Sequence, residues 1–134
     1  MNVLLVEKMN NMSKTTAKDF KIYKKAIRLW IDKFGLSDWR VEVLHKKDIN
    51  DSRGSVTYNS GERCCTIFLA PTWENDIEPT KEILECTALE EVLHVLFARL
   101  TTLAVDRYLQ HENDINEEEH SVIHKIERVL LDKK

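Results

Sequence analysis

The 134-residue sequence has no apolar run near the roughly twenty residues that a bilayer-crossing helix requires. No helical membrane span is therefore expected. The run Val3-Leu4-Leu5-Val6 is too short for the core of a secretory signal. Cys64, Cys65 and Cys86 form no C-x-x-C pair, and an odd number of cysteines cannot be fully paired within one chain. A disulfide-built scaffold is thereby excluded, and a reducing, cytoplasmic compartment is expected. Internal repeats and low-complexity segments are also lacking. Positive charge is not in excess: 20 Lys and Arg stand against 23 Asp and Glu, a net charge of −3. That balance argues against a protein that coats nucleic acid, although it leaves room for a local basic patch.

What is present suits an ordinary folded domain, with 43% hydrophobic and 32% charged residues. The length corresponds to one domain with one core, expected over residues 15–134. Residues 1–14 are expected to be a flexible leader. It contains Met1, Met9 and Met12, so translation is open to starting at either later methionine.

Over residues 15–34, Phe20, Tyr23, Ile27, Trp30 and Phe34 recur at the three-four spacing of an amphipathic helix. Gly35 follows as a left-handed terminator. The other side carries Lys14, Lys18, Lys21, Lys25 and Arg28, a basic stripe that reads either as a solvated face or as a surface for phosphates or an acidic partner. Residues 39–45 alternate like a half-buried strand. Val56 and Tyr58 mark a second strand after Gly54, and Asn59-Ser60-Gly61-Glu62 is a hairpin turn with Gly61 at positive φ. A third strand over 63–69 contains Thr66, Ile67 and Phe68, and should point Cys64 and Cys65 to opposite faces.

Residues 71–79 read as a loop. A long helix is expected from 80 toward 109, apolar over much of its circumference through Ile83, Leu89, Val92, Leu93, Leu96, Phe97, Leu100 and Leu103. An acidic connection over 110–116 leads to a closing helix over 117–131, with Val122, Ile126, Val129 and Leu130 inward. The fold class is therefore α+β: an N-terminal helix, a small three-stranded antiparallel sheet, a long central helix and a closing C-terminal helix.

The central helix places Glu90, Glu91 and His94 among leucines and valines. Buried charge needs hydrogen bonds, an ion or a cleft. Glu90 and His94, four residues apart, share one helical face. Glu90-Glu91-Val92-Leu93-His94 differs from the zinc-peptidase string H-E-x-x-H only in its first residue. In that string two histidines hold the metal and the glutamate takes a proton from metal-bound water. His94 keeps the second ligand position and Glu91 the base position. Glu90 replaces the first histidine with a carboxylate, which zinc accepts, at the cost of weaker Lewis acidity. A carboxylate-rich site also tolerates harder ions such as manganese. The closing helix offers Glu119 as third ligand, with Glu118 and His120 as neighbours. His120 and His124 form a further four-residue pair.

The same residues also have a metal-free reading. Asn116 and Glu119 have the spacing of a capping box. His94 reads equally as a core histidine bonded to a backbone carbonyl. Glu90 or Glu91 reads as paired with Arg99 or Lys125, and His45 as a solvated strand end.

The order Phe34-Gly35-Leu36-Ser37-Asp38-Trp39, Gly54-Ser55-Val56, Thr66-Ile67-Phe68-Leu69 and Glu90-Glu91-Val92-Leu93-His94-Val95-Leu96 resembles the small zincin-like metallopeptidases of phages and prophages, over residues 23–131. Glu118-Glu119-His120-Ser121-Val122 is similar to that family's closing helix. The resemblance implies a minimal zincin-like fold and a metal, zinc or alternatively manganese or another divalent ion, between the central and closing helices. Glu91 would be the base, and Glu90, His94 and Glu119 the ligands. The departure at Glu90 leaves two functions open. One is a divergent metallopeptidase acting on a protein or peptide substrate. The other is a non-catalytic phage protein, with no metal, that keeps the scaffold and binds a host or phage protein, for example to inhibit a host defence. Neither reading calls for nucleic acid or a membrane as partner.

Overall fold

Thr16 sets where the first helix begins. Its Oγ1 accepts from the Asp19 amide at 3.1 Å while Asp19 Oδ2 accepts from the Thr16 N–H at 2.8 Å, so two end donors are satisfied reciprocally. The computed structural model describes residues 12–48, 52–74, 77–106 and 112–132, and this helix, α1, spans Ala17–Lys33. Its buried side is Tyr23, Ala26, Ile27 and Ile31, the face that the apolar spacing anticipates. Gly35 ends the helix at φ 68°, the left-handed conformation expected of it.

Lys14 does not belong to the helix. Ser13–Lys14 forms a short strand, β1, so the basic stripe on α1 reduces to Lys18, Lys21, Lys25 and Arg28, all exposed. Of the stretch expected to be a leader, Ser13 and Lys14 are thus in a strand, and residues 1–11, Met1 and Met9 included, lie outside the described residues. The antiparallel partner of β1 is β5 (Thr72–Trp73), which sits inside the stretch expected to be loop.

The main sheet consists of β2 (Arg40–His45), β3 (Gly54–Asn59) and β4 (Cys64–Leu69) in the order β2-β4-β3. It is mixed rather than antiparallel throughout. β3 pairs antiparallel with β4, whereas β2 runs parallel to it. The composition of the strands explains the placement. Cys65, Ile67 and Leu69 are buried on one face of β4 and none of its residues is exposed, whereas β2 and β3 both carry exposed residues, so β4 suits the central position. β3 carries Ser55, Thr57 and Asn59 and tolerates an edge. Cys64 and Cys65 do face opposite ways, with Cys65 buried and Cys64 only partly so. The turn between β3 and β4 takes its positive φ at Arg63 (φ 52°) and not at Gly61. Asn59 Oδ1 accepts from the Glu62 amide at 3.1 Å and fixes the start of that turn.

The central helix, α2, spans Lys81–Val105 and is capped by Thr80, whose Oγ1 accepts from the Ile83 amide at 3.3 Å. The closing helix, α3, spans Glu112–Leu130 and starts earlier than expected. Asn116 therefore lies within its second turn, and the anticipated Asn116–Glu119 capping box does not form a helix start. Buried Tyr23, Ile27, Leu36, Ile67, Leu69, Trp73, Leu84, Val92 and Val95 form one core between α1, α2 and the sheet. Val122 joins it from α3. No described helix is long and apolar enough to cross a membrane.

Candidate functional site

α2 packs against both α1 and β3, and the contact with β3 is unusually close. A Cβ on Gly54 would lie 2.7 Å from Thr87 Cγ2 and 2.9 Å from the Tyr23 hydroxyl, so only glycine lets the strand approach. Below this contact a cleft of about 380 Å³ opens between the strand and the helix. Arg53, Ser55, Val56 and Tyr58 line one wall, and Thr87, Glu90, Glu91 and His94 line the other.

The structure brings Glu90, Glu91 and His94 together in this cleft. Glu90 and His94 share the exposed side of α2, as their spacing requires. One helical step turns Glu91 inward, and it is only 6% exposed. Burial raises its carboxyl well above the usual range, and neighbouring Glu90 raises it further, to about 7. A carboxyl at that value holds or releases a proton near neutrality, which suits acid–base chemistry. Tyr23 is fully buried beside it and donates its hydroxyl to the Phe68 carbonyl at 2.9 Å. Its phenol is pushed strongly upward, mainly by burial and then by the charges of Glu91 and Glu90, so it stays a neutral donor.

Glu119 is not part of this cleft. It is exposed on α3, and the neighbouring α3 residue Glu118 lines a different cavity with Val95, Leu96 and Arg99. His94 faces β3 instead of α3, so the expected ligand set of Glu90, His94 and Glu119 does not assemble. Among the described residues no three His, Cys, Asp or Glu side chains converge as a metal site. Glu90 and His94 alone supply two donors, short of the three protein ligands that a catalytic zinc usually has. The donor set present therefore does not fit the metal centre implied by the resemblance.

Other candidates have structural partners. His45 lies 2.7 Å from Thr15 Oγ1 through Nε2 and stacks on Phe20 at 5.1 Å, so it is a packed strand-end residue and not a solvated one. His120 and His124 stack at 6.4 Å on the exposed side of α3, where His124 Nδ1 lies 3.9 Å from Glu127. Neither Glu90 nor Glu91 pairs with Arg99 or Lys125, which line the second cavity.

Ser55 went unnoticed in the sequence. It is 8% exposed, its Oγ has no hydrogen-bond partner, and it lines the cleft opposite Glu91. An unmet buried hydroxyl is costly unless something fills the site. A lone serine in a strand that also carries Thr57 and Asn59 has no signal that could have singled it out. Comparison of the chain with known protein families, curated proteins and solved structures finds no match.

Proposed function

We propose that this chain is a divergent protein of the phage zincin-like kind whose cleft engages an extended polypeptide segment, from a host or phage protein. One observation carries the reading. The cleft holding Glu90, Glu91 and His94 has as its other wall β3, an edge strand of the main sheet. An edge strand presents unpaired backbone donors and acceptors, and an extended segment can add to it by main-chain hydrogen bonds. The unpartnered Ser55 hydroxyl and the acidic pair then meet the side chains or backbone of that segment. Thr57, Tyr58 and Asn59 leave the end of the strand exposed for entry.

The second reading is peptide-bond hydrolysis, with Glu91 as base. The position of Glu91 favours it: its carboxyl is buried in the wall of the same cleft that Glu90, His94 and the edge strand line. Because the described donors fall short of a metal centre, zinc or manganese would need a further ligand beyond those residues.

Amide hydrogen exchange with and without an unfolded polypeptide such as reduced casein tests the first reading. Residues 54–59 should gain protection, and protection confined to other segments, or none, would refute it. Mass spectrometry of the same mixture, with and without added zinc or manganese, tests the second. New peptide termini that vanish in Glu91→Gln support hydrolysis, and their absence under every condition removes it.

A further inference from the structure

A second cavity, of about 360 Å³, opens away from the cleft, where α2 meets α3 and the turn between β3 and β4. Leu36, Val95 and Leu96 lie behind it, almost fully buried, so the half-buried Trp39 is the main apolar surface in a lining that is otherwise mostly polar. Its charged lining is uneven. Arg63, Arg99 and Lys125 face it against Asp38 and Glu118, so cations exceed anions by one. Arg63 and Asp38 are already bonded to each other across the turn. Arg99 and Lys125 make no ion pair with Glu118, although all three line the same space. Ser121 and Lys125 are one helical turn apart on α3 and present a hydroxyl and an ammonium from one side. Ser60 is no free donor, because its hydroxyl is given to Thr102 at 2.9 Å.

The backbone of this wall is held under tension. Arg63 sits at φ 52°, an uncommon conformation for a side chain of its size, and its carbonyl accepts from the Arg40 amide at 2.9 Å. Strained residues of this kind persist where surrounding contacts fix them, and they concentrate at ligand sites. The bond to Asp38 and the strand contact together hold the turn in place as the fixed rim of the cavity. A guanidinium and an ammonium left open beside a half-buried indole suit a ligand with an anionic head and a flat aromatic body.

We infer that this cavity binds a small carboxylate or phosphate carried on an aromatic ring. The ring lies against Trp39, and the anion is held by Arg99, Lys125 and the Ser121 hydroxyl. This site is separate from the cleft and does not depend on what the cleft does.

Benzoate, phenyl phosphate and benzyl alcohol are suitable probes, titrated into the intact protein while the indole resonance of Trp39 is followed by NMR. Benzoate and phenyl phosphate should shift it saturably, and the tighter of the two identifies the preferred anion. Arg99→Ala and Lys125→Ala should each weaken that binding about tenfold or more, as expected for loss of a charge-assisted bond. Lys18→Ala, which removes an equal charge from α1, should leave binding unchanged. Three results would overturn the inference. They are benzyl alcohol binding as tightly as the anions, equal weakening by Lys18→Ala, and no shift with either anion in protein whose spectrum shows it folded.

Discussion

Glu91 offers the sharpest test of this architecture, because its burial is a stability statement as well as a chemical one. In the folded chain its carboxyl titrates at about 7, against an ordinary value of 4.5. Below pH 4.5 both folded and unfolded forms are protonated, and the residue is neutral in either. As pH rises through that value the unfolded chain releases its proton first, while the folded chain retains it until about 7. The stability present at low pH is therefore lost progressively across this window and stays lost above it. The displacement corresponds to about 3 kcal/mol. Because the side chain lines an open cleft, solvent screening reduces that to about 2 kcal/mol. Glu91→Gln removes the titration while keeping the shape. Urea unfolding followed by tryptophan fluorescence should give nearly equal stabilities for the two proteins at pH 4.5. Glu91→Gln should then gain steadily, becoming more stable by about 2 kcal/mol at pH 8. Taking the difference between the two proteins cancels the other titrating groups. A difference independent of pH, or a wild type more stable at pH 8, would refute the reasoning.

Three further outcomes follow from the packing. Gly54→Ala should cost about 1–3 kcal/mol in the same assay, because the new methyl meets Thr87 and Tyr23 below 3.0 Å and must push α2 from β3; an unchanged midpoint would contradict that contact. Tyr23→Phe should cost about 1 kcal/mol through loss of the bond to the Phe68 carbonyl, and a stabilising effect would count against it. Native-state alkylation should label exposed Cys86 quickly and leave Cys65 intact, since burial and then neighbouring Cys64 push the Cys65 thiol up to about 11. Equal rates by mass spectrometry would mean that the face of β4 carrying Cys65 is not buried.

The pieces legible in the sequence were those governed by local physics. The three-four spacing of Tyr23, Ile27 and Trp30 located α1, and Gly35 ended it, because helix periodicity and left-handed φ are properties of neighbouring residues. The spacing of Glu90 and His94 likewise fixed their common side, and the alternation in β4 separated Cys64 from Cys65. What failed locally was the start of α3, where Asn116 mimicked a cap one turn inside the real helix.

Assembly across the chain was decided only by tertiary structure. Strand order followed burial: β4, with one face buried and no exposed residue, lies between β2 and β3, which leaves β3 at the edge. With β3 beside α2, His94 and Glu91 came to face a strand and the Ser55 hydroxyl, while Glu119 went with α3 to a different side. Sequence spacing fixes which residues share a helix face. Which neighbour that face meets follows from how the apolar surfaces of distant elements are buried together.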